Sequence, residues 1–195
     1  MLTIADRFLG MPVMSLQTGA ELARTVREVI DPRDLTIIAY ELAGPMLDQT
    51  PSLLRVADIR EIGSLGMIVD SVDELISPSD VIKIQQVYNY QFTLLDKIVV
   101  DEANHKLGKV TGYTLQAGNF VIQQLVVRRP FLKSFNDTEL LVHRSQISKV
   151  TDDLITVRAA SITQPQKAHQ RPTDILPAYD NPFRKRPQPD SIDNK

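Results

Sequence analysis

Residues 101–113 read DEANHKLGKVTGY and lie between LLDKIVV at 94–100 and FVIQQLVV at 120–127. The flanking apolar runs are short, rich in Val, Ile and Leu, and bounded by turn formers, which predicts short strands. Residues 102–106 then make a polar turn. Leu107 begins the next strand, and Gly108 marks a bend or a place where a neighbouring backbone comes close. Ala117-Gly118-Asn119 divides YTLQ from FVIQQLVV and predicts a hairpin turn, because Gly and Asn tolerate positive φ.

The same pattern occurs once more, earlier in the chain. Leu9 and Val13 match Leu95 and Val99. With a one-residue gap, Leu22, Ala23 and Arg24 match Leu107, Gly108 and Lys109. Leu35, Ile37, Tyr40 and Leu42 match Phe120, Ile122, Leu125 and Val127. Further on, Leu54, Ile59, Ile62, Met67 and Val69 match Val142, Ile147, Val150, Ile155 and Val157. Such internal similarity predicts two copies of one unit. At the hairpin position the first copy has Asp31-Pro32-Arg33-Asp34, where proline pre-sets φ for a type I turn. Short helical turns are expected at 58–62 and 145–150, with Ser145 as the cap of the second.

Between the copies, Ser77-Pro78-Ser79-Asp80 supplies a capping hydroxyl, a proline for the first helical position and a carboxylate three residues on. A linking helix is expected over 78–92, with Val81, Ile84, Tyr88 and Phe92 roughly on one face. The chain thus divides into a first unit at 1–77, the helix at 78–92, a second unit at 93–162 and a tail at 163–195. The tail holds six of the twelve prolines and little apolar content, which predicts disorder. Its ILPAY, NPF and RKR are candidate docking elements, weighed against a plain solvated tail. The tight connection between helix and second unit predicts that the two units pack as a fixed pair, with Tyr88, Tyr90 and Phe92 supplying apolar contact.

Composition narrows the function classes. The 195 residues include no cysteine, which excludes disulfides, thiolate nucleophiles and cysteine metal sites. No apolar run approaches the roughly 20 residues that span a bilayer. MLTIADRFLG lacks a basic start followed by a long apolar stretch, so no secretory signal is expected, and the expected location is the cytoplasm. The net charge of −2 is uneven, at −6 over residues 1–94, +2 over 95–162 and +2 over 163–195. That falls short of the dense basic face of a dedicated nucleic-acid binder.

Candidate chemistry is sparse. His105, His143 and His169 lie in separate segments without partners at metal-ligand spacing, so no metal and no cofactor are expected. Ser145 stands near His143, but no nucleophile elbow accompanies it, and no catalytic residue is assigned. Asp73-Glu74, Asp101-Glu102 and Asp152-Asp153 occupy turns, where acids serve ordinary ends. Arg128, Arg129 and Lys133 form the one basic cluster of the second unit, to be weighed against a solvated strand end. With Tyr88 and Tyr90 they make up the candidate interaction surface.

The repeated unit resembles the PRC-barrel family, a small β-barrel found in the photosynthetic reaction centre H subunit and in the ribosome maturation factor RimM. The resemblance rests on Leu95 and Val99, on Leu107-Gly108-Lys109-Val110 after a polar turn, on the hairpin ending in Val121 to Val127, on Ser145-Gln146-Ile147, and on Ile155 and Val157. The first copy departs from it, with Ala23 and Arg24 where Gly-Lys is expected. The whole chain is similar to tandem PRC-barrel proteins of bacteria. The resemblance implies an all-β protein of two tandem small barrels and a non-enzymatic adaptor or scaffold that binds a protein partner. The alternative it implies is an RNA- or ribosome-associated assembly factor. Peripheral membrane contact is not expected, because RKR falls short of the four to eight basic residues usual for lipid recognition.

Overall fold

The structure, a computed structural model, describes residues 2–129 and 139–158. Lys133 and the tail expected to be disordered lie outside the described residues. Strands β1 (Leu2–Ile4), β2 (Pro12–Ser15), β3 (Glu21–Asp31), β4 (Thr36–Ala43), β5 (Ser52–Arg55), β6 (Glu61–Gly63), β7 (Gly66–Val69) and β8 (Leu75–Ile76) form the first half. Helix α1 (Ile82–Tyr90) leads to β9 (Ile98–Asp101), β10 (Lys106–Gln116), β11 (Val121–Arg128), β12 (Glu139–His143), β13 (Ile147–Val150) and β14 (Leu154–Val157) of the second. Among the described residues the fold is all-β apart from this helix and short 3-10 turns.

The matched apolar positions occupy matched places. Val13 pairs with Ala23 on the antiparallel side and with Met67 on the parallel side, and Val99 pairs in the same way with Gly108 and Ile155. In each half the hydrogen-bonded order is the same, β5-β4-β3-β2-β7-β6 in the first and β12-β11-β10-β9-β14-β13 in the second. The two ends of each order are not bonded to one another, so neither path closes on itself. The 3-10 turns Val56–Asp58 and Arg144–Gln146 stand between those ends, slightly earlier in the chain than expected. The cap of the second turn is His143 rather than Ser145: its Nδ1 accepts from the Ser145 N–H at 3.2 Å, and its own N–H donates to Gln146 Oε1 at 2.6 Å.

Gly108 answers the question posed by its sequence context. A Cβ there would lie 2.2 Å from the Arg128 carbonyl oxygen, so β11 passes too close for any side chain. In the first half the matching residue is Ala23, and a glycine, Gly44, stands opposite it just past the end of β4. A Cβ on Gly44 would meet the Ala23 Cα at 3.0 Å.

The halves join through their hairpin tips. Val121 pairs with Thr36, the Ile37 N–H donates to the Phe120 carbonyl at 3.1 Å, and the Ile122 N–H donates to the Leu35 carbonyl at 2.9 Å. This is one hydrogen bond made twice by equivalent residues. Leu35 and Phe120 also share a left-handed backbone, with φ of 49° and 55°, and both are buried. Such a conformation is unfavourable for a large side chain and persists where surrounding packing holds it. Here the Phe120 ring lies 5.6 Å from Phe8 and 6.0 Å from Tyr40, both of the first half. One apolar core accordingly runs through both halves, from Val13, Tyr40 and Leu54 to Leu115, Leu125 and Val142.

The capping signal at Ser77 forms as expected, with its N–H donating to Asp80 Oδ2 at 2.7 Å, but it closes the 3-10 turn Pro78–Asp80. Val81 is extended, and α1 starts after it. The helix ends at Gln91, which adopts φ 52° and returns its side-chain amide to the Tyr88 carbonyl at 2.7 Å. Ile84 and Val87 of α1 pack on Val29, Ala39 and Leu53, which point away from the main core. The helix therefore covers the outer face of the first half.

Candidate interaction surfaces

The aromatic residues of the linker divide their tasks. Tyr88 is half-buried over the first half, with the Arg27 guanidinium 5.1 Å from its ring centroid. Arg27 is held by Glu41 at 2.6 Å and donates to Gln91 Oε1 at 3.0 Å. Phe92 is buried in the common core, as expected of an interface residue. Tyr90 is exposed, stacks on Phe92 at 6.3 Å and donates its hydroxyl to Asp152 of the second half. Lys97 completes this corner. Its ammonium lies 4.4 Å from the Phe92 centroid and donates to the Asp152 carbonyl. Desolvation lowers its pKa, opposed by Asp152 and Asp153. The expectation that all three aromatics bridge the halves is corrected for Tyr88, because the helix axis turns its side chain onto β3.

Arg128 ends β11, exposed, directly opposite Lys109 on β10 and Glu139 on β12. Arg129 follows it, half-buried. No ion pair engages Lys109, Arg128 or Arg129 among the described residues. No hydrogen bond, ion pair or ring contact among the described residues joins Arg128 or Arg129 to Tyr88 or Tyr90.

Two clefts lie at equivalent places. The larger, of about 680 Å³, is built from Arg7 and Phe8, from Ile59 to Ile62 after the first 3-10 turn, and from the hairpin tip Ala117 to Phe120 of the second half. The smaller, of about 360 Å³, is built from the other hairpin tip, Asp31 to Arg33, from Gln86, Val87 and Tyr90 of α1, and from Val150 and Thr151. Each is thus a hairpin tip of one half set against the far edge of the other. Phe8, Ile59, Ile62 and Phe120 give the larger cleft an apolar floor. At its rim Arg60 is paired with Asp70, whereas Arg7 has no ion pair among the described residues.

The titratable groups explain themselves structurally. The Asp101 carboxylate accepts from the backbone N–H of His105 at 2.8 Å, from Ala103 at 2.9 Å and from the His105 ring at 2.9 Å, and these bonds hold its pKa below the usual range. This is the polar turn of the opening stretch. Asp31 is held low in the same way, chiefly by the Arg33 side chain. Tyr113 donates to Glu28 across the two halves, and burial raises its pKa, with Glu28 adding to the shift. Tyr40 is raised by burial as well, and its hydroxyl has no hydrogen-bond partner among the described residues. His143 and Ser145 touch at 2.9 Å as an exposed turn cap, and no carboxylate among the described residues bonds to either. No cluster of three metal-ligating side chains occurs among the described residues, and no helix there is long and apolar enough to cross a membrane. No protein-family model matches the chain, and no curated protein matches it.

Proposed function

We propose that the chain is a cytoplasmic, non-enzymatic scaffold of two PRC-barrel-type repeats that holds a protein partner in the larger cleft. The observation that carries this reading is the joint between the halves. Two equivalent backbone hydrogen bonds and a continuous core fix the walls of the cleft relative to one another. A pre-formed apolar cleft with a few polar groups at its rim is the ordinary form of a binding site. Asp31, Asp101, His105, His143 and Tyr113 are engaged in turns, a cap and the joint.

The test is to express the tagged full chain and its Arg7→Glu variant in the source cells, cross-link, and identify protein and RNA together. A defined protein partner retained by the parent and lost from the variant is the expected result. Ribosomal proteins accompanied by ribosomal RNA, in both samples, would favour the assembly-factor alternative. No partner dependent on the cleft would end the scaffold reading at this site.

A further inference from the structure

The internal repeat allows one strand edge to be read against its own counterpart. β6 ends the hydrogen-bonded path of the first half, and β13 ends that of the second. Register makes Glu61 the counterpart of Lys149 and Ile62 that of Val150, because Glu61 and Ile62 pair with Ile68 and Met67 as Lys149 and Val150 pair with Thr156 and Ile155. β13 carries two devices that keep an edge from pairing further: a register shift between Ile147 and Lys149, and the exposed lysine itself. β6 has neither, and Glu61 is its only charge. A two-residue turn, Ser64-Leu65, joins β6 to β7, and Gly63 and Gly66 flank it as a pair. The pair that flanks such a turn is a hydrogen-bonded one, so alternation along β6 turns the N–H and C=O of Ile62 away from β7. No backbone hydrogen bond among the described residues takes them up.

This open edge borders the larger cleft. Glu61 and Ile62 line it, together with Ile59, Phe8 and Phe120. We infer that the partner is held there as an added β-strand: a short extended segment of another protein pairs backbone to backbone with β6, and its apolar side chains at i and i+2 settle on Ile59, Ile62 and Phe120. The inference rests on the scaffold reading and names the form its partner takes. The backbone selects the occupant. β6 has three residues and spans about 10 Å, which matches a segment of chain. The rim adds no preference of charge, since Arg60 is held by Asp70, while Arg7 and Glu61, one of each sign, have no ion pair among the described residues. The chain's own residues 163–195 suit the edge poorly. They hold six of the twelve prolines, and proline has no N–H to give to a ladder.

The experiment uses the isotope-labelled full chain and a capped, uncharged seven-residue peptide of alternating threonine and valine. Two further peptides carry N-methyl groups, one on the valine amides and one on the threonine amides. Each thus loses the donors of one strand edge and keeps its side chains. Amide shifts should map the parent peptide to Glu61 and Ile62, and hydrogen exchange at the Ile62 N–H should slow. One methylated peptide should bind about tenfold more weakly than the other, as expected from the loss of one or two backbone hydrogen bonds. Ile62→Pro, at an edge position whose N–H the sheet does not use, should weaken binding of the parent peptide to a similar degree. If that variant fails to fold, the methylated pair decides alone. Absence of shifts at β6, or equal affinity of the two methylated peptides, would overturn the inference. So would slow exchange at Ile62 in the free chain that is lost on removing residues 163–195, which would make the chain its own occupant, or that is lost on dilution, which would make a second copy the occupant. A cellular partner lost on Arg7→Glu yet kept by a folded Ile62→Pro chain would sink this inference and leave the scaffold reading standing; a partner indifferent to both would sink the reading itself.

Discussion

Gly108 shows how one residue carries a corner of the fold. Because the Arg128 carbonyl occupies the space of its missing Cβ, Gly108→Val should lower stability by about 1–3 kcal/mol, toward the upper end, through displacement of β11. Ala23→Val should be milder, since Gly44 opposite leaves that strand room. Urea denaturation of both variants measures the difference, and equal small losses would remove the close approach from the account. The acid limb of stability belongs to the same scale. Asp31 and Asp101 have folded pKa values below their ordinary carboxylate value. Their stabilisation is therefore present above the unfolded value of about 3.9 and is lost as pH falls through the folded one. Melting temperature should decline as pH is taken below that value, and Asp101→Asn should flatten the decline. A parent curve unchanged by the substitution would show that the carboxylate does not hold the turn.

At the scale of elements, α1 is a surface helix fixed by two side chains. Ile84 and Val87 are buried on Val29, Ala39 and Leu53, whereas Tyr90 is exposed, with its ring on Phe92 and its hydroxyl on Asp152. Ile84→Ala should cost about 2–5 kcal/mol, while Tyr90→Phe should change stability by no more than about 1 kcal/mol. Thermal melts followed by circular dichroism separate these outcomes, and a large Tyr90 effect would mean that the corner with Lys97 and Phe92 bears more of the joint than its exposure suggests. The Ser77 capping signal belongs here too. It was legible as a helix start, yet it closes a 3-10 turn, because extended Val81 stands between that turn and α1.

For the molecule as a whole, the halves should unfold together. The core continues from Val13 to Val142, and Phe120 of one half packs on Phe8 and Tyr40 of the other. Calorimetry should give a single transition with equal calorimetric and van't Hoff enthalpies. Phe92→Ala should lower it by about 3–5 kcal/mol and raise hydrogen exchange in β4 and β11 alike. Two resolved melts would mean that the tip-to-tip hydrogen bonds do not couple the repeats.

What the sequence by itself determined was local. Strand character, the polar turn at 102–106, the hairpin at 117–119 and the twofold repeat all follow from short periods and turn chemistry, and the matched apolar positions proved to be matched places in the register. Tertiary structure decided how the copies meet. Nothing in the run Tyr88 to Phe92 says that one ring lies over β3, one enters the common core and one reaches Asp152, since neighbours on a helix end diverge in space. Nor does a turn sequence announce that its Phe120 will exchange hydrogen bonds with the turn of the other copy. The clefts arise from that exchange, because surfaces formed by residues far apart in the chain depend on long-range packing that no local period records.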